Sequence, residues 1–452
     1  MNHTGTPHAY APSTEVRSIA AGPETHVASA EELALMSLSA RLLFENGQSS
    51  EGVVSAVDEL AHALGFRATV FPRWGDLTIR IDDGSGSRHE IIAAAPVGID
   101  MRKVAATIGV IDDVCAGRLD AEEALPVLEA ISRFPPVSIT RFALLAAAGA
   151  AALGVIFGAT HPFSLLLIAI SASAGAWLRR WLATISRNLF AQPLCAALLA
   201  GVIGAIATRL QLSSALRLVA VCPCMILVPG PHLLNGTIDL ARARIALGAS
   251  RVAYAGVIIL MICVGLLTGL SLGGVSLPAA APSYPVPLGY DIIAAGVAVA
   301  AYGTFFAMPW RALPIPAAIG MLAHASRWAM ISLAGASVQT GALVACLVVG
   351  IVITPIADRL RLPFAAFAFA SVVSLIPGVY LFRMAAGLVD LVTLGQKAST
   401  DVLLNTIADG ATAMLVVLAM AVGLILPKMC IEYFYPGLAV ETHGKTTVFQ
   451  NR

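Results

Sequence analysis

The chain carries little charge for its length. Only 12% of its 452 residues are charged, whereas 58% are hydrophobic and the mean hydropathy is +0.83. Soluble domains are roughly 25% charged. The net charge is +1, and no basic tract is long enough to form a nucleic-acid-binding surface. The composition therefore excludes an ordinary soluble protein and predicts a protein that lies mostly in lipid.

Segments that would couple transport to ATP are also missing. The chain contains no Asp-Lys-Thr-Gly sequence, which ATP-driven cation pumps phosphorylate. Gly444-Lys-Thr resembles the end of a phosphate-binding loop, but Ala439 stands where the first glycine of that loop belongs. If the chain moves a solute, an ion gradient is the expected source of energy.

The seven cysteines are scattered, and at least five of them lie in apolar runs. This distribution is typical of packing thiols and argues against a disulfide framework. Cys222-Pro-Cys224 has the spacing of thiolate ligands for a transition metal. Small residues packed at a helix kink explain the pair more simply. We therefore expect neither a metal nor a cofactor, and a metal carrier stays an alternative.

The N-terminal third of the chain is more polar than the rest. Residues 1–30 have no apolar core, so we expect a disordered segment and no cleavable secretory signal. The pattern of polar and apolar residues over 31–136 predicts a small cytosolic α+β domain. Two amphipathic helices end at Gly47 and Gly65, and three short strands and two further helices follow. No nucleophile–base set stands out in this domain, so we expect it to regulate and not to catalyse.

The remainder consists of ten apolar stretches, each close to the roughly 20 residues that a bilayer requires. They divide into halves of five spans, at residues 138–275 and 289–430. The Pro-rich segment 276–288 links the halves, and residues 431–452 form a polar tail. The ten stretches are 142–158, 162–178, 189–208, 214–234, 252–273, 289–308, 313–333, 339–357, 363–382 and 405–426.

Basic residues in the short loops indicate the orientation of the spans. With the N-terminus inside, nine of these residues fall in inner loops and four in outer loops. Arg327 lies within the seventh stretch, together with His324, and is not counted. The excess predicts a multi-pass protein of the cell inner (plasma) membrane, with both termini cytoplasmic and the link 276–288 external.

Two apolar stretches are interrupted by proline and glycine, at Pro229-Gly230-Pro231 and at Pro377-Gly378. Proline removes a backbone donor, and glycine tolerates the conformations that result. In lipid such a break is tolerated only where the freed backbone groups face protein or water. Interrupted helices at matching points of two halves indicate a transport site near the middle of the bilayer.

Polar side chains follow each break. Asn235, Thr237 and Asp239 follow the first break, and Arg383 and Asp390 follow the second. Ionisable groups at membrane depth are costly and are functional candidates, although some of these residues could instead lie among lipid headgroups. We expect Asp239 and Arg383 to face one cavity. The candidate substrate-binding or coupling residues are Pro229, Gly230, Asn235, Thr237, Asp239, Pro377, Gly378, Arg383 and Asp390.

The two halves also look related to each other. Thr208-Arg-Leu-Gln-Leu212 precedes the first break as Asp358-Arg-Leu-Arg-Leu362 precedes the second. Because each half has an odd number of spans, related halves must cross the membrane in opposite directions. We therefore predict an α-helical polytopic membrane protein: a small N-terminal α+β soluble domain followed by ten transmembrane helices, arranged as two five-helix inverted repeats with broken helices.

One further motif suggests catalysis. Gly269-Leu-Ser271-Leu-Gly273 matches the nucleophile elbow of hydrolases by letters. That elbow requires a strand–turn–helix context, whereas this segment ends an apolar stretch. Gly265, Gly269 and Gly273 are spaced by four, which is typical of a helix-packing stripe. We expect no enzyme activity, and a membrane-embedded hydrolase stays an alternative.

Three segments resemble the threonine/serine exporter family. They are Ser39-Ala-Arg-Leu-Leu-Phe-Glu-Asn-Gly47, Val114-Cys-Ala-Gly-Arg-Leu-Asp-Ala-Glu-Glu-Ala124 and Leu375-Ile-Pro-Gly-Val-Tyr-Leu-Phe-Arg383, and the resemblance extends over about residues 31–430. It implies a soluble N-terminal domain, ten spans in two five-span parts, and export of small hydroxy amino acids driven by the proton gradient. The proline-rich break at 229–231 departs from the family pattern, so another small metabolite stays an alternative substrate.

The residues themselves suggest how a zwitterion could be held. Half-helix N-termini and Arg383 suit its carboxylate, and Asp239 with loosened backbone carbonyls suits its ammonium group. Asn235 or Thr237 could bond a side-chain hydroxyl, and Asp409 is a further candidate for a proton relay. The expected partners are a small amino acid, the proton and the lipid bilayer. No nucleic acid is expected, and a homo-oligomer stays open.

Overall fold

The computed structural model describes residues 27–83, 86–159, 161–211, 216–277, 286–360 and 363–434. Most of the N-terminal segment predicted to be disordered lies outside these ranges, as do most of the Pro-rich link and of the C-terminal tail. The described residues form a small α+β unit followed by a large assembly of helices.

The α+β unit has the elements that the sequence predicts. Its helices are α1 (Ala30–Glu45), α2 (Ser50–Ala63), α3 (Met101–Cys115) and α4 (Ala121–Ser132), and its strands are β1 (Arg67–Pro72), β2 (Gly75–Asp83) and β3 (Gly86–Ala94). Gly47 and Gly65 follow α1 and α2 with φ of +98° and +87°, a backbone conformation that favours glycine. The strands form one antiparallel sheet in the order β1-β2-β3.

The core of the unit lies between the sheet and its helices. Leu77, Ile79 and Ile81 alternate along β2 and are all buried, as period-two patterning requires of a strand with one face on a core. These residues belong to one apolar cluster that also contains Leu247, which lies on the membrane helix Ile245–Leu272. The unit is therefore docked on the membrane part and shares a core with it.

In the described residues, the membrane part contains twelve α-helices. The first half contains α5 (Ile139–Ile156), α6 (Pro162–Ile185), α7 (Ala191–Arg209), α8 (Leu216–Met225), α9 (Gly230–Ala241) and α10 (Ile245–Leu272). The second half contains α11 (Leu288–Phe305), α12 (Pro314–Ser332), α13 (Val338–Arg359), α14 (Phe364–Val372), α15 (Gly378–Leu394) and α16 (Thr400–Phe434). α16 continues past residue 430, where the sequence suggested the tail begins.

Length and composition support fewer spans than the ten expected. Among the described residues, eight helices are long and apolar enough to cross a membrane, or nine if the bent pair α8–α9 is one span. α12 falls outside this group because His324 and Arg327 lower its hydropathy. The stretch 363–382 is not one continuous span, since α14 is short and the candidate span beside it is Gly378–Lys397, which consists of α15 and the 3-10 turn that follows it.

Helix packing follows the same pattern in both halves. In the first half, α10 packs on α7 and α9, and α6 packs on α5 and α7. In the second half, α16 packs on α13 and α15, and α12 packs on α11 and α13. The short helices α8 and α14 likewise contact equivalent neighbours. The two halves therefore share one arrangement of six helical segments.

In each half, glycines allow two helices to pack with their backbones in close contact. A Cβ atom at Gly269 of α10 would lie 2.3 Å from the Leu198 carbonyl oxygen of α7, and one at Gly265 would lie 2.2 Å from that of Leu194. Gly350 and Gly423 play the same part between α13 and α16. The interpretation of the spaced glycines as a helix-packing stripe is confirmed.

Replacing Gly269 by alanine should destabilise the membrane part. The added methyl group meets backbone on α7, so the helices must separate, at a cost of about 1–3 kcal/mol or more. Gly256→Ala on the same helix is the matched control, because a Cβ atom there meets nothing within 4 Å. Thermal unfolding in detergent should show a lower midpoint for Gly269→Ala alone. Equal midpoints for the two variants would contradict this packing.

Candidate functional site

Both proline-glycine breaks have the same local geometry. α8 and α9 meet at a bend of 52° around Pro229, which has φ −83° and ψ 64°. Pro377, between a 3-10 turn at Val373–Leu375 and α15, has φ −78° and ψ 42°. In each break the glycine N–H donates to the carbonyl two residues earlier, Gly230 to Val228 (3.0 Å) and Gly378 to Ile376 (2.8 Å). Both are inverse γ-turns centred on proline.

The structure brings the two breaks together. A Cβ atom at Gly230 would lie 1.5 Å from the ring of Phe369, which belongs to α14. A Cβ atom at Gly378 would lie 2.9 Å from the side chain of Met225, the last residue of α8. At each glycine, a side chain would collide with a residue of the other half. The two breaks therefore pack directly against each other.

An aromatic residue satisfies part of the backbone that the first break releases. The buried hydroxyl of Tyr302 on α11 donates to the Met225 carbonyl at 2.8 Å. A released carbonyl needs such a partner, because an unpaired backbone group in lipid costs several kcal/mol, on the order of a full desolvation penalty. Rings of Phe306 and Phe369 pack around Tyr302. The break is thus held by protein on one side.

On its other side the first break borders a cavity of about 260 Å³. Residues 226–229 of the break line it, as do the start of α9, the end of α11 and the loop of the α+β unit at Val97 and Ile99. The cavity therefore lies between the membrane helices and the α+β unit. Its size suits a small metabolite, since sites for drug-sized ligands enclose about 300–1,000 Å³.

Arg179 is the only charged side chain that lines this cavity in the described part of the chain. It projects from α6, and its guanidinium carbon lies 5.8 Å from the ring centre of Phe142. Its Nε–H is buried and has no hydrogen-bond partner among the described residues. Arg179 is therefore the charged group with which a molecule in the cavity would interact.

Two further polar side chains line the cavity from α9 and α10. His232 bonds to the backbone of Val97 in the α+β unit. The ring of Tyr254 lies 5.2 Å from that of His232 and 5.1 Å from that of Trp74 in the α+β unit. The α+β unit therefore forms part of the cavity wall through these contacts.

Two of the three residues predicted after the first break, Asn235 and Asp239, contact the α+β unit. Asp239 Oδ2 lies 3.3 Å from Arg251 Nε on α10 and accepts a hydrogen bond of 3.1 Å from the Ser50 hydroxyl on α2. The Asn235 amide donates to the Gly47 carbonyl at 3.3 Å. The hydroxyl of Thr237 donates to the carbonyl of Leu233 on its own helix at 2.8 Å. These three side chains do not line the cavity.

A second set of charges extends this interface to the C-terminal helix. Arg242, just beyond α9, pairs with Glu51 of α2 and with Glu432 of α16. Lys428 of α16 pairs with Glu432 at 2.6 Å. The end of α9, the end of α16 and the α+β unit are therefore tied together on one side of the membrane part.

Arg383 lies far from Asp239. It pairs with Asp409 of α16 at 2.9 Å, and at 1.5 Å per residue the distance along α16 from Asp409 to Glu432 is about 34 Å. The expectation that Asp239 and Arg383 face one cavity is wrong in this structure, because α9 leads from its break toward the α+β unit and α15 leads away from it. Asp390, further along α15, is half-buried.

Sequence analysis missed one buried constellation. His324 Nδ1 lies 3.0 Å from Asp291 Oδ2, and His324 Nε2 lies 2.6 Å from Ser374 Oγ. The three residues are on α11, α12 and the 3-10 turn that precedes the second break. The signals were present: an ionisable pair inside apolar stretches, and a serine three residues before Pro377. Spacing alone could not join residues that are 33 and 50 positions apart.

The alternative sites lack the surroundings that their chemistry needs. The Ser271 hydroxyl donates to the Thr268 carbonyl on its own helix at 2.9 Å, in the last turn of α10. Cys222 and Cys224 are buried on α8 within the apolar core. The described residues contain no group of three or more His, Cys, Asp or Glu side chains that could hold a metal ion.

These features define a helical, multi-pass membrane protein with broken helices beside a cavity of about 260 Å³. Comparison with protein families makes the class specific. Residues 34–273 match the family model described as "Putative threonine/serine exporter", and residues 291–430 match the model described as "Threonine/Serine exporter, ThrE". The chain belongs to the threonine/serine exporter family, which confirms the resemblance drawn from its motifs. No solved structure matches the chain.

Removing the carboxylate of Asp239 should destabilise the docking of the α+β unit. Asp239→Ala leaves the buried Arg251 without its counter-ion, at a cost of about 3–5 kcal/mol. Glu51→Ala is the control at the same interface, and because Glu51 is 53% exposed its loss should cost about 0–1 kcal/mol. Unfolding in detergent followed by Trp fluorescence measures both. Similar losses for the two variants would mean that Asp239 is not held as a buried ion pair.

Proposed function

We propose that the chain is a secondary exporter that binds threonine or serine from the cytoplasm in the cavity beside the first break and releases it on the other side, driven by the proton gradient. The observation that carries the proposal is the contact between the two breaks, Gly230 on Phe369 and Gly378 on Met225, next to the cavity. Paired broken helices at the interface of two repeats are the sites at which secondary transporters bind substrate.

In this proposal the carboxylate of the amino acid binds Arg179. A guanidinium presents a planar fork of donors that matches a carboxylate. Arg179 lines the cavity, so its guanidinium can reach a carboxylate held there. Arg383, which the sequence suggested for this role, already has Asp409 as its counter-ion.

The ammonium group would bind the backbone carbonyls of the break at 226–229 and the faces of Tyr254 and Tyr302, all of which border the cavity. Rings attract cations through their π-electrons, and loosened carbonyls are good acceptors. No carboxylate side chain lines the cavity in the described residues, so Asp239 is not the ammonium acceptor in this proposal. His232 would bond the hydroxyl of threonine or serine.

The breaks themselves would act as hinges. Pro229 with Gly230 and Pro377 with Gly378 interrupt the helical hydrogen bonds at one level of the molecule, where a few residues can absorb a change of φ and ψ. Rocking one half against the other about this centre would close the cytoplasmic cavity and open an external one. Asn235, Thr237 and Asp239 would then sense the position of the α+β unit, while Arg383, Asp390 and Asp409 lie on the external side.

We also propose that the halves are inverted repeats of five spans each, giving ten crossings with both termini in the cytoplasm. The repeated helix packing and the matching γ-turns support this arrangement. α12 would count as a span because His324 is buried against protein partners and not exposed to lipid. An odd number of crossings per half reverses the direction of the second half.

Arg179→Gln should weaken substrate binding while the fold persists. A charge-assisted hydrogen bond is worth about 1.5–3 kcal/mol, which corresponds to about a tenfold to hundredfold rise in the apparent KM for threonine. Uptake of labelled threonine into inside-out vesicles measures it. Arg187→Gln, in the exposed loop after α6, is the matched control and should transport normally. An unchanged KM in Arg179→Gln would remove Arg179 from the site.

The topology is tested with single cysteines in a cysteine-free background. Ala334→Cys, in the exposed loop between α12 and α13, should react with an impermeant thiol reagent in intact cells. Ser87→Cys, on the exposed part of β3, should react only after the cells are opened. Reaction at Ser87→Cys in intact cells would contradict the cytoplasmic placement of the α+β unit.

A further inference from the structure

The buried constellation at the second break differs in kind from the ion pairs around it. His324 is completely buried at about the middle of α12, and both of its ring nitrogens are engaged, one by Asp291 and one by Ser374. Asp291 and Ser374 are 3% and 2% exposed. An imidazole bonded to a carboxylate on one side and a hydroxyl on the other can exist with or without an extra proton.

Few other charged groups face this site. Arg327, one turn further along α12, interacts with Asp291 and with Tyr380 of α15. α14 carries no charged residue, and the charged residues of α13, Asp358 and Arg359, lie at its far end. The site therefore combines one carboxylate, one imidazole and one guanidinium inside the membrane part.

The constellation lies away from the α+β unit. Asp291 is in the first turn of α11, and the far end of that helix reaches Phe306, whose carbonyl accepts a 2.9 Å bond from Met101 of the α+β unit. Fifteen residues at 1.5 Å each place Asp291 about 22 Å further along the helix axis. The site is thus on the side of the breaks opposite to the 260 Å³ cavity.

We propose that Asp291, His324 and Ser374 form the proton-binding site of the exporter, an inference that rests on the proton-driven export proposed above. Ionisable side chains this deep in a membrane protein are costly and mark ion pathways or proton relays. Ser374 lies in the 3-10 turn that leads directly into Pro377 and Gly378, so a change at the imidazole is transmitted to the second break.

The proton changes which group donates. Without it, His324 Nδ1–H donates to the Asp291 carboxylate and Nε2 accepts from the Ser374 hydroxyl. A proton from the external side binds Nε2, and the imidazolium is balanced by the Asp291 carboxylate. Nε2–H now donates to Ser374 Oγ, so the serine hydroxyl must turn its hydrogen to another acceptor. Loss of the proton to the cytoplasm restores the first state, and one proton has entered.

The same three residue types build the serine hydrolase triad. A hydrolase also needs space beside its nucleophile for an acyl substrate and an oxyanion. Ser374 is buried and does not line the cavity of 260 Å³. The geometry therefore favours proton binding over acyl transfer.

The test separates coupling from transport. In proteoliposomes, His324→Gln retains hydrogen-bonding atoms but cannot take up a proton. It should lose threonine movement driven by a pH gradient, but it should still exchange labelled for unlabelled threonine when no gradient is present. Ser326→Ala is the matched control on α12, since its hydroxyl only bonds to the Leu322 carbonyl of its own helix, and it should retain both activities.

Each other outcome has a distinct meaning. Full gradient-driven transport in His324→Gln would overturn the proton-site proposal alone, as would loss of exchange together with coupling in a His324→Gln protein that is folded. A wild-type protein that ignores the pH gradient would overturn the proton-driven export as well. Labelling of Ser374 by a fluorophosphonate probe would favour a hydrolase and would also overturn the proton-site proposal.

A second variant keeps the proposal testable if His324→Gln fails to fold. Ser374→Ala retains both titratable side chains and removes only the hydroxyl that bonds to Nε2. It should displace the external pH at which transport is half-maximal. A hydroxyl with a purely structural role would leave that pH unchanged, and such a result would overturn the proposal.

Discussion

The membrane part depends on the mutual packing of its two proline-glycine breaks. Proline ends each helix by removing a donor, and glycine lets the other half approach within van der Waals distance, Gly230 against Phe369 and Gly378 against Met225. Neither break could persist alone, because its released backbone groups would face lipid. Packed together, the breaks shelter each other, and Tyr302 supplies a donor to the Met225 carbonyl. Every candidate for transport chemistry lies to one side or the other of this centre.

Buried charge is divided between the two sides. Toward the α+β unit, Asp239 is neutralised by Arg251. Away from it, Arg383 is neutralised by Asp409, and Asp291 lies beside His324. A buried ion pair contributes little net stability, because desolvation offsets most of the attraction, but breaking one is costly. Such pairs therefore make it costly to reach any conformation in which the two partners are separated.

The α+β unit is more than an attached domain. It shares an apolar core with Leu247 of α10, lines the cavity through Val97 and Ile99, and supplies the Ser50 hydroxyl to Asp239. A unit with these contacts cannot move without altering the cavity and the end of α9. This arrangement gives the expected regulatory role a physical route, since any ligand or modification that shifts the unit also changes access to the cavity.

The sequence by itself determined what depends on local patterns. Apolar periodicity and composition specify the α+β unit and the membrane helices, proline and glycine mark both breaks, and the motifs identify the family. It did not place the end of every helix, since a hydropathy stretch does not reveal that α14 stops short of α15. Only the tertiary structure decided which polar groups meet: Asp239 is paired with Arg251 and not placed near Arg383, and His324 joins residues far apart in the chain. The reason is physical: partners of buried charges are set by which helix ends pack together, and no local pattern records that.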